Sequence, residues 1–374
     1  MKILILNWRD IKNPRAGGAE VLTHEMAKGC VRAGHKVTFF AASFKGAKPE
    51  EILDGVNIIR AGNAITVYWQ AFLYYRRRFK GNVDIIIDEI NTMPFFSNLY
   101  AKEKVVCHIN QLAREVWFYE SVFPISLLGY ILEPFFLKSY RSNDVITISE
   151  STKKDLINLG FKEDKIKTIP MGIDFKPLDA LPKKEETPTL IYVGRLKKSK
   201  RVDHIIEAYK KAKNKAKNLN LWIVGNGDSS YKKHLYSLAK GEKGIKFFHN
   251  LSNEDKLKRM ARVHLIVVAS VREGWGLIVT EANAMGTPAV VYNVTGLRDS
   301  TKDGVTGIIV KENNPNCLAE SILRILSDDE LRNKLAGNAL MWARELSWDK
   351  SARDVLGYIE KVLKKHRNSL AKSN

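Results

Sequence analysis

The chain alternates short apolar runs with segments of helical period, and it does so twice over. In the first series the strand-like runs fall at 2–7, 36–41, 56–60, 83–87, 104–107, 144–148 and 166–169. Between the first two, Leu22, Met26, Cys30 and Ala33 recur at near-helical spacing, and Gly34 marks a stop. Strand, helix and strand at such short intervals require parallel crossovers and a sheet covered on both faces. Residues 174–189 then carry three prolines and four acidic residues with little apolar pattern, which predicts a linker. A second series follows at 190–193, 221–224, 245–248, 265–269, 289–292 and 307–310. Its first helix shows Val202, Ile205, Ile206, Tyr209 and Ala212 as a buried stripe.

The expected fold class is therefore α/β, with two Rossmann-like doubly wound domains facing a cleft. The expected boundaries are 1–173, a linker at 174–189, a second domain at 190–346, and a C-terminal helix within 347–374. The basic tail after Leu363 is expected to fray. Ligands of open α/β sheets bind beyond the carboxyl ends of the strands, so chemistry is sought there.

The longest turn of interest is Glu273-Gly-Trp-Gly-Leu-Ile-Val-Thr-Glu281, after the Leu265–Ala269 run and at the start of a helix that stops at Gly286. Gly274 and Gly276 allow close approach of the backbone to a ligand. The helix start offers free N–H groups and a positive dipole end to an anion. Two carboxylates beside such a site suit a ligand that is part sugar and part phosphate.

Gly194-Arg-Leu-Lys-Lys-Ser-Lys200 also follows a strand and precedes a helix, which favours phosphate binding by Arg195 and Lys200 over a merely solvated basic loop. Gly225-Asn-Gly-Asp228 is either a ligand turn or a tight βα turn. It lacks the third glycine of a dinucleotide fingerprint, because Ser230 stands there. Ala16-Gly-Gly-Ala-Glu20 either admits a substrate at Gly17 and Gly18 or caps a helix. His108 ends a strand, where a structural and a cleft role are both open. Asp88 and Glu89 are adjacent and so point to opposite faces, which leaves one of them as an acceptor contact.

The net charge of +20, from 61 Lys and Arg against 41 Asp and Glu, favours an anionic partner. Three scattered cysteines without CxxC spacing read as reduced residues of a cytoplasmic protein. No signal peptide is expected, since Met1-Lys2 leads directly into a strand-like run. The apolar stretch Val122 to Leu137 is broken by Pro124, Glu133 and Pro134, and falls short of the roughly 18–20 residues of a spanning helix. The Tyr74–Lys80 segment mixes aromatics with four cations, which fits a lipid or nucleic-acid surface or a solvated helix face.

Taken together these residues resemble the retaining glycosyltransferases of family 4, which have the GT-B fold. The similarity lies in EGWGLIVTEANAMGTPAVV at 273–291, GRLKKSK at 194–200, AGGAE at 16–20, IPMGID at 169–174 and TGLRDSTKDGVTGIIV at 295–310. Met171 and Asp299 stand where asparagine and glutamate are usual in the family. The resemblance implies that Arg195 and Lys200 hold the donor diphosphate and stabilise it as a leaving group. It implies that Glu281 binds ribose hydroxyls and that Glu273 and His108 contact the transferred sugar. Gly17, Gly18, Gly225, Gly274, Trp275, Gly276 and Leu277 complete the implied donor-binding set. No metal or other cofactor is implied, and the last helix, from Trp348 to Leu363, would return to the first domain.

The expected reaction moves a hexose from a UDP- or GDP-sugar to a sugar or lipid-linked glycan hydroxyl, with retention, as the two domains close and exclude water. The alternatives are a nucleotide-sugar epimerase or phosphorylase of similar fold and a basic nucleic-acid-binding protein. The last would leave Glu273 and Glu281 without a purpose, so no nucleic-acid partner is expected. An anionic membrane surface is an expected further partner, with the protein peripheral on the inner face.

Overall fold

A computed structural model describes residues 1–371 as two compact units. The first comprises Met1–Ala113, Leu128–Gly172 and the chain from Ser347 onward; the second comprises Arg114–Leu127 and Ile173–Leu346.

The first unit is built on β1 (Lys2–Leu6), β2 (Lys36–Ala41), β3 (Glu50–Leu53), β4 (Val56–Arg60), β5 (Ile85–Glu89), β6 (Lys104–Ile109), β7 (Asp144–Thr147) and β8 (Ile166–Thr168). They form one sheet in the order β3-β4-β2-β1-β5-β6-β7-β8, parallel except for the β3–β4 pair. Ile3 to Leu6 and Ile85 to Ile87 are buried without alternation, as strands covered on both faces require. The Gly18–Arg32 helix buries Leu22, Met26 and Cys30. Ala33, expected in that stripe, instead caps the helix and is exposed. The C-terminal helix runs over Trp348–Ala371, so the basic tail stays helical beyond Leu363. Val362 and Leu363 are buried, and Arg367 pairs with Asp84 at 3.3 Å.

The second unit carries β9 (Thr189–Val193), β10 (Asn220–Val224), β11 (Ile245–Phe248), β12 (Leu265–Val268), β13 (Ala289–Val291) and β14 (Gly307–Ile309). All are parallel, in the order β11-β10-β9-β12-β13-β14. Val202, Ile205, Ile206, Tyr209 and Ala212 are fully buried, as their spacing predicts.

Two expected boundaries need correction. Residues 114–127, expected in the first domain, cluster with the second unit. Glu120 accepts from Lys197 Nζ at 2.6 Å and Glu115 from Arg272 Nε at 3.1 Å, ion pairs between positions far apart in sequence. The expected linker at 174–189 is also fastened to the second unit. Lys184 Nζ donates to Ala261 O, Gly286 O and Thr287 Oγ1, each at 2.9 Å, and Leu178 N donates to Ala284 O at 3.0 Å.

His264 links the starts of β9 and β12, because its N–H donates to Thr189 O and its Nδ1 accepts from Thr189 N at 3.1 Å. Burial, helped by Arg332 and Lys184, pushes its imidazole down to about 4. A free histidine titrates near ~6.5, so between the two values the unfolded chain takes up a proton that the folded chain refuses. Stability is therefore full above about pH 6.5, falls as pH drops, and levels off once the folded imidazole titrates. We expect a loss of about 1–3 kcal/mol over that window. In His264→Asn, whose amide oxygen can accept from Thr189 without titrating, that part of the pH dependence should vanish. Urea unfolding across the window checks this; an unchanged slope in the variant contradicts it.

Candidate active site

In each sheet the chain reverses direction of growth at one place, and there the two flanking loops diverge to leave a crevice. In the second unit this point lies between β9 and β12, both neighbours in the sheet. The loop after β9 is the Gly194–Lys200 segment, and the loop after β12 is Ser270–Gly276. Val271 N donates to Ser199 O at 2.9 Å and so ties the two loops together.

Lys200 Nζ meets Glu273 Oε1 at 2.6 Å, and Ser270 Oγ donates to the same oxygen at 2.7 Å. The backbone N–H of Glu273 donates to Thr295 O at 3.1 Å, which fixes the turn behind its side chain. Gly276 then caps the Leu277–Ala284 helix at φ 98° with no side-chain cap, a conformation that favours glycine and leaves the helix start open to an anion. Trp275 is buried with an indole N–H that has no hydrogen-bond partner. Glu281 lies on the second turn of that helix and pairs with Lys256 at 2.7 Å.

Arg195 is exposed and makes no side-chain hydrogen bond or ion pair among the described residues. Its backbone O accepts from the Tyr192 hydroxyl at 2.9 Å, and burial together with the Glu273 charge pushes that phenol well up. The tyrosine thus stays neutral and serves as a fixed prop for the loop. The site therefore holds Arg195 as an unpaired cation and two carboxylates, each paired with its own lysine, among the described residues. That is a set able to exchange internal ion pairs for a phosphate and hydroxyls.

Gly225 has a different reason for being glycine. A Cβ there would lie 1.8 Å from Gly194 O, because the turns after β9 and β10 are laced together by Gly194 N→Val224 O and Leu196 N→Asn226 O. Close packing of the two turns explains this residue without a ligand.

In the first unit the equivalent reversal lies between β1 and β5. Glu89 and His108 are register partners on β5 and β6, and His108 Nδ1 meets Glu89 Oε1 at 2.7 Å in near-complete burial. His108 Nε2 and Glu89 Oε2 are buried with no partner, as are both side-chain polar atoms of Asn110 and the amide nitrogen of Asn7. Buried polar atoms rarely go unpaired in native proteins, so this concentration at the strand ends marks a place for a polar ligand. Asp88 turns the other way and accepts from Ser97 and Tyr140 at 2.6 Å each, a structural role. Burial raises its carboxyl, and those hydrogen bonds oppose the rise.

Gly17 and Gly18 begin the first helix. The N–H of Gly17 donates to Glu20 Oε2 at 2.7 Å, so helix capping accounts for this amide; a Cβ on Gly18 would meet open space. Arg195, Lys200, Gly225, the 273–277 turn and Glu281 thus lie in the second unit, and Gly17, Gly18 and His108 in the first. Sequence reasoning did not find Lys256 or Ser270, which sit outside any motif. It also missed Glu120, whose carboxylate accepts from the Ser199 backbone N–H and hydroxyl as well as from Lys197. Among the described residues, no group of three or more His, Cys, Asp or Glu side chains is placed to hold a metal ion.

Two family profiles match the chain, one over each half. Residues 16–176 match Glycosyltransferase Family 4, and residues 176–342 match Glycosyl transferases group 1. An uncharacterized glycosyltransferase of Methanocaldococcus jannaschii is 28% identical over 95% of this chain and 97% of its own length. Among solved structures, sucrose-phosphate synthase from Thermosynechococcus elongatus superposes with a TM-score of 0.79 at 19% identity, covering 97% of this chain and 99% of that one. Anabaena HepE in complex with UDP-glucose does so at 0.73 and 17%, covering 96% of this chain and all of that one (100%). With the two parallel sheets, the glycine-rich turn and its paired carboxylates already in view, these similarities make the chain a group 1, family 4 glycosyltransferase of the GT-B fold.

Proposed function

We propose that the protein moves a hexose from a UDP- or GDP-sugar to a hydroxyl of a glycan or lipid-linked acceptor, with retention and without a metal. The observation that carries this reading is the arrangement after β9 and β12: unpaired Arg195, the Lys200–Glu273 and Lys256–Glu281 pairs, and an uncapped helix start. Bound UDP-glucose in the HepE structure supports a nucleotide-sugar donor by likeness of fold.

On this reading Arg195 clamps the diphosphate with Lys200, and the Leu277–Ala284 helix start adds its dipole. These positive groups do the work that a divalent ion does elsewhere. Glu281 accepts from the ribose hydroxyls and Glu273 from those of the sugar. The bond between the anomeric carbon and the diphosphate oxygen breaks, and its electron pair leaves with the diphosphate. The acceptor oxygen attacks the oxocarbenium-like carbon from the face just vacated, and its proton passes to a departing phosphate oxygen. In the first unit, His108 offers Nε2 to a ligand hydroxyl, with Glu89 fixing its ring. The free thiols of Cys30, Cys107 and Cys317 support a cytoplasmic setting.

The test is a panel of UDP-, GDP- and ADP-sugars, with glycan and lipid-linked acceptors, in chelator. Release of one nucleoside diphosphate with a product of unchanged anomeric configuration by NMR is the expected result. Inversion of the product, or conversion of the donor sugar without transfer, would refute the reading.

A further inference from the structure

The helix Ile125–Lys138 turns a carboxylate inward. Glu133 is buried at 4% exposure, along with Leu137, and Ala113 N donates to the Glu133 carboxylate at 2.5 Å. Its solvent face within the first unit carries Leu128, Ile131 and Phe135, the last of them 70% exposed. Their i, i+3 and i+4 spacing makes one continuous apolar stripe that ends at exposed Lys138. Ordinary monomers rarely leave so long a stripe in water. The helix has 14 residues, and among the described residues no helix is long and apolar enough to cross a membrane.

The stripe has apolar and basic neighbours. Phe136 packs edge-on against Phe96 at 5.7 Å, and Asn98 Nδ2 donates to Ser139 O. Leu99, on the same short turn, is exposed. Tyr100 packs against Phe72, and Phe72 against Trp69, which is 62% exposed. The helix bearing Trp69 continues into Tyr75–Phe79, where Arg76 and Arg77 face solvent. An exposed tryptophan beside exposed arginines and an apolar stripe is the composition of an interfacial element. No acidic side chain of the Ile125–Lys138 helix reaches the exposed face.

We infer that this face of the first unit lies on an anionic lipid surface, with Leu128, Ile131 and Phe135 entering the acyl boundary and Arg76 and Arg77 at the headgroups. The inference deepens the proposed lipid-linked acceptor by naming the surface on which such an acceptor would be met. Charge selects the occupant: a second copy would bring +20 against +20, whereas an anionic bilayer attracts it.

The experiment is flotation of the full chain with phosphatidylcholine vesicles, with and without phosphatidylglycerol. Co-flotation is expected with the anionic vesicles. In Ile131→Asp/Phe135→Asp the partition should fall at least about tenfold. In Arg76→Glu/Arg77→Glu the preference for anionic over neutral vesicles should disappear. Nucleoside-diphosphate affinity, measured on the same samples, should stay unchanged in both variants, which separates a failure at the lipid surface from a failure of the transferase reading and shows that the variants fold. Wild type that stays with the protein fraction, that forms a dimer in place of floating, or that floats no better than the Ile131/Phe135 variant would overturn the inference.

Discussion

Replacing Arg195 with alanine should lower turnover by about 10²–10³-fold, the usual cost of removing one donor that meets charge developing on a leaving group. The size of the effect follows from geometry. Among the described residues no carboxylate holds the Arg195 guanidinium, so on the proposed reading its full charge is available to a departing diphosphate. Lys200 differs, since Glu273 must release it first. Because the Arg195 side chain is exposed and supports no contact, folding stability should change by less than about 0.5 kcal/mol. Arg195→Lys should recover only part of the rate, because an ammonium cannot span two phosphate oxygens. Initial rates at saturating donor, set beside a thermal melt, check both halves. Normal turnover in the alanine variant would remove Arg195 from the chemistry.

Much of this site is legible in the sequence because it is local. A strand, a glycine turn and a helix start are contiguous, so Glu273, Gly276 and Glu281 take their places from spacing alone, and Arg195 follows its strand in the same way. What spacing cannot show is which distant side chain comes to meet them. Lys256 reaches Glu281 from the helix after β11, and Glu89 meets His108 only because β5 and β6 pair in that register. The composition of 174–189 predicts a linker, and its attachment rests on Lys184 finding three acceptors far along the chain. One missed element did carry a local signal. β3 and β4 are joined by Asp54-Gly55, both at positive φ, the dipeptide of a tight hairpin. Two leading glutamates hid the strand, and charge on an edge strand is what protects it from pairing further. The exposed stripe on the Ile125–Lys138 helix is legible as apolar, but only the structure shows that Glu133 turns inward while Ile131 and Phe135 face out.

Glu281→Ala should act on binding more than on rate. The carboxylate is partly buried and held by Lys256, so it presents its remaining lone pairs from a fixed position on the second turn of the Leu277–Ala284 helix. Losing hydrogen bonds to a charged group costs about 1.5–3 kcal/mol. That corresponds to about 10–100-fold weaker nucleotide binding. The loss should appear equally with the free nucleoside diphosphate and with the sugar nucleotide, since both carry the ribose. Turnover at saturating donor should change far less than in Arg195→Ala.

Calorimetric titration of UDP, GDP and ADP into the full chain in the presence of chelator, repeated with Glu281→Ala, tests the donor site most directly. The account predicts that one of the three binds clearly better than the others, that it does so without metal, and that the variant loses about 10–100-fold in affinity for it. Binding by none of the three, binding that the chelator abolishes, or equal affinity in the Glu281 variant would contradict it.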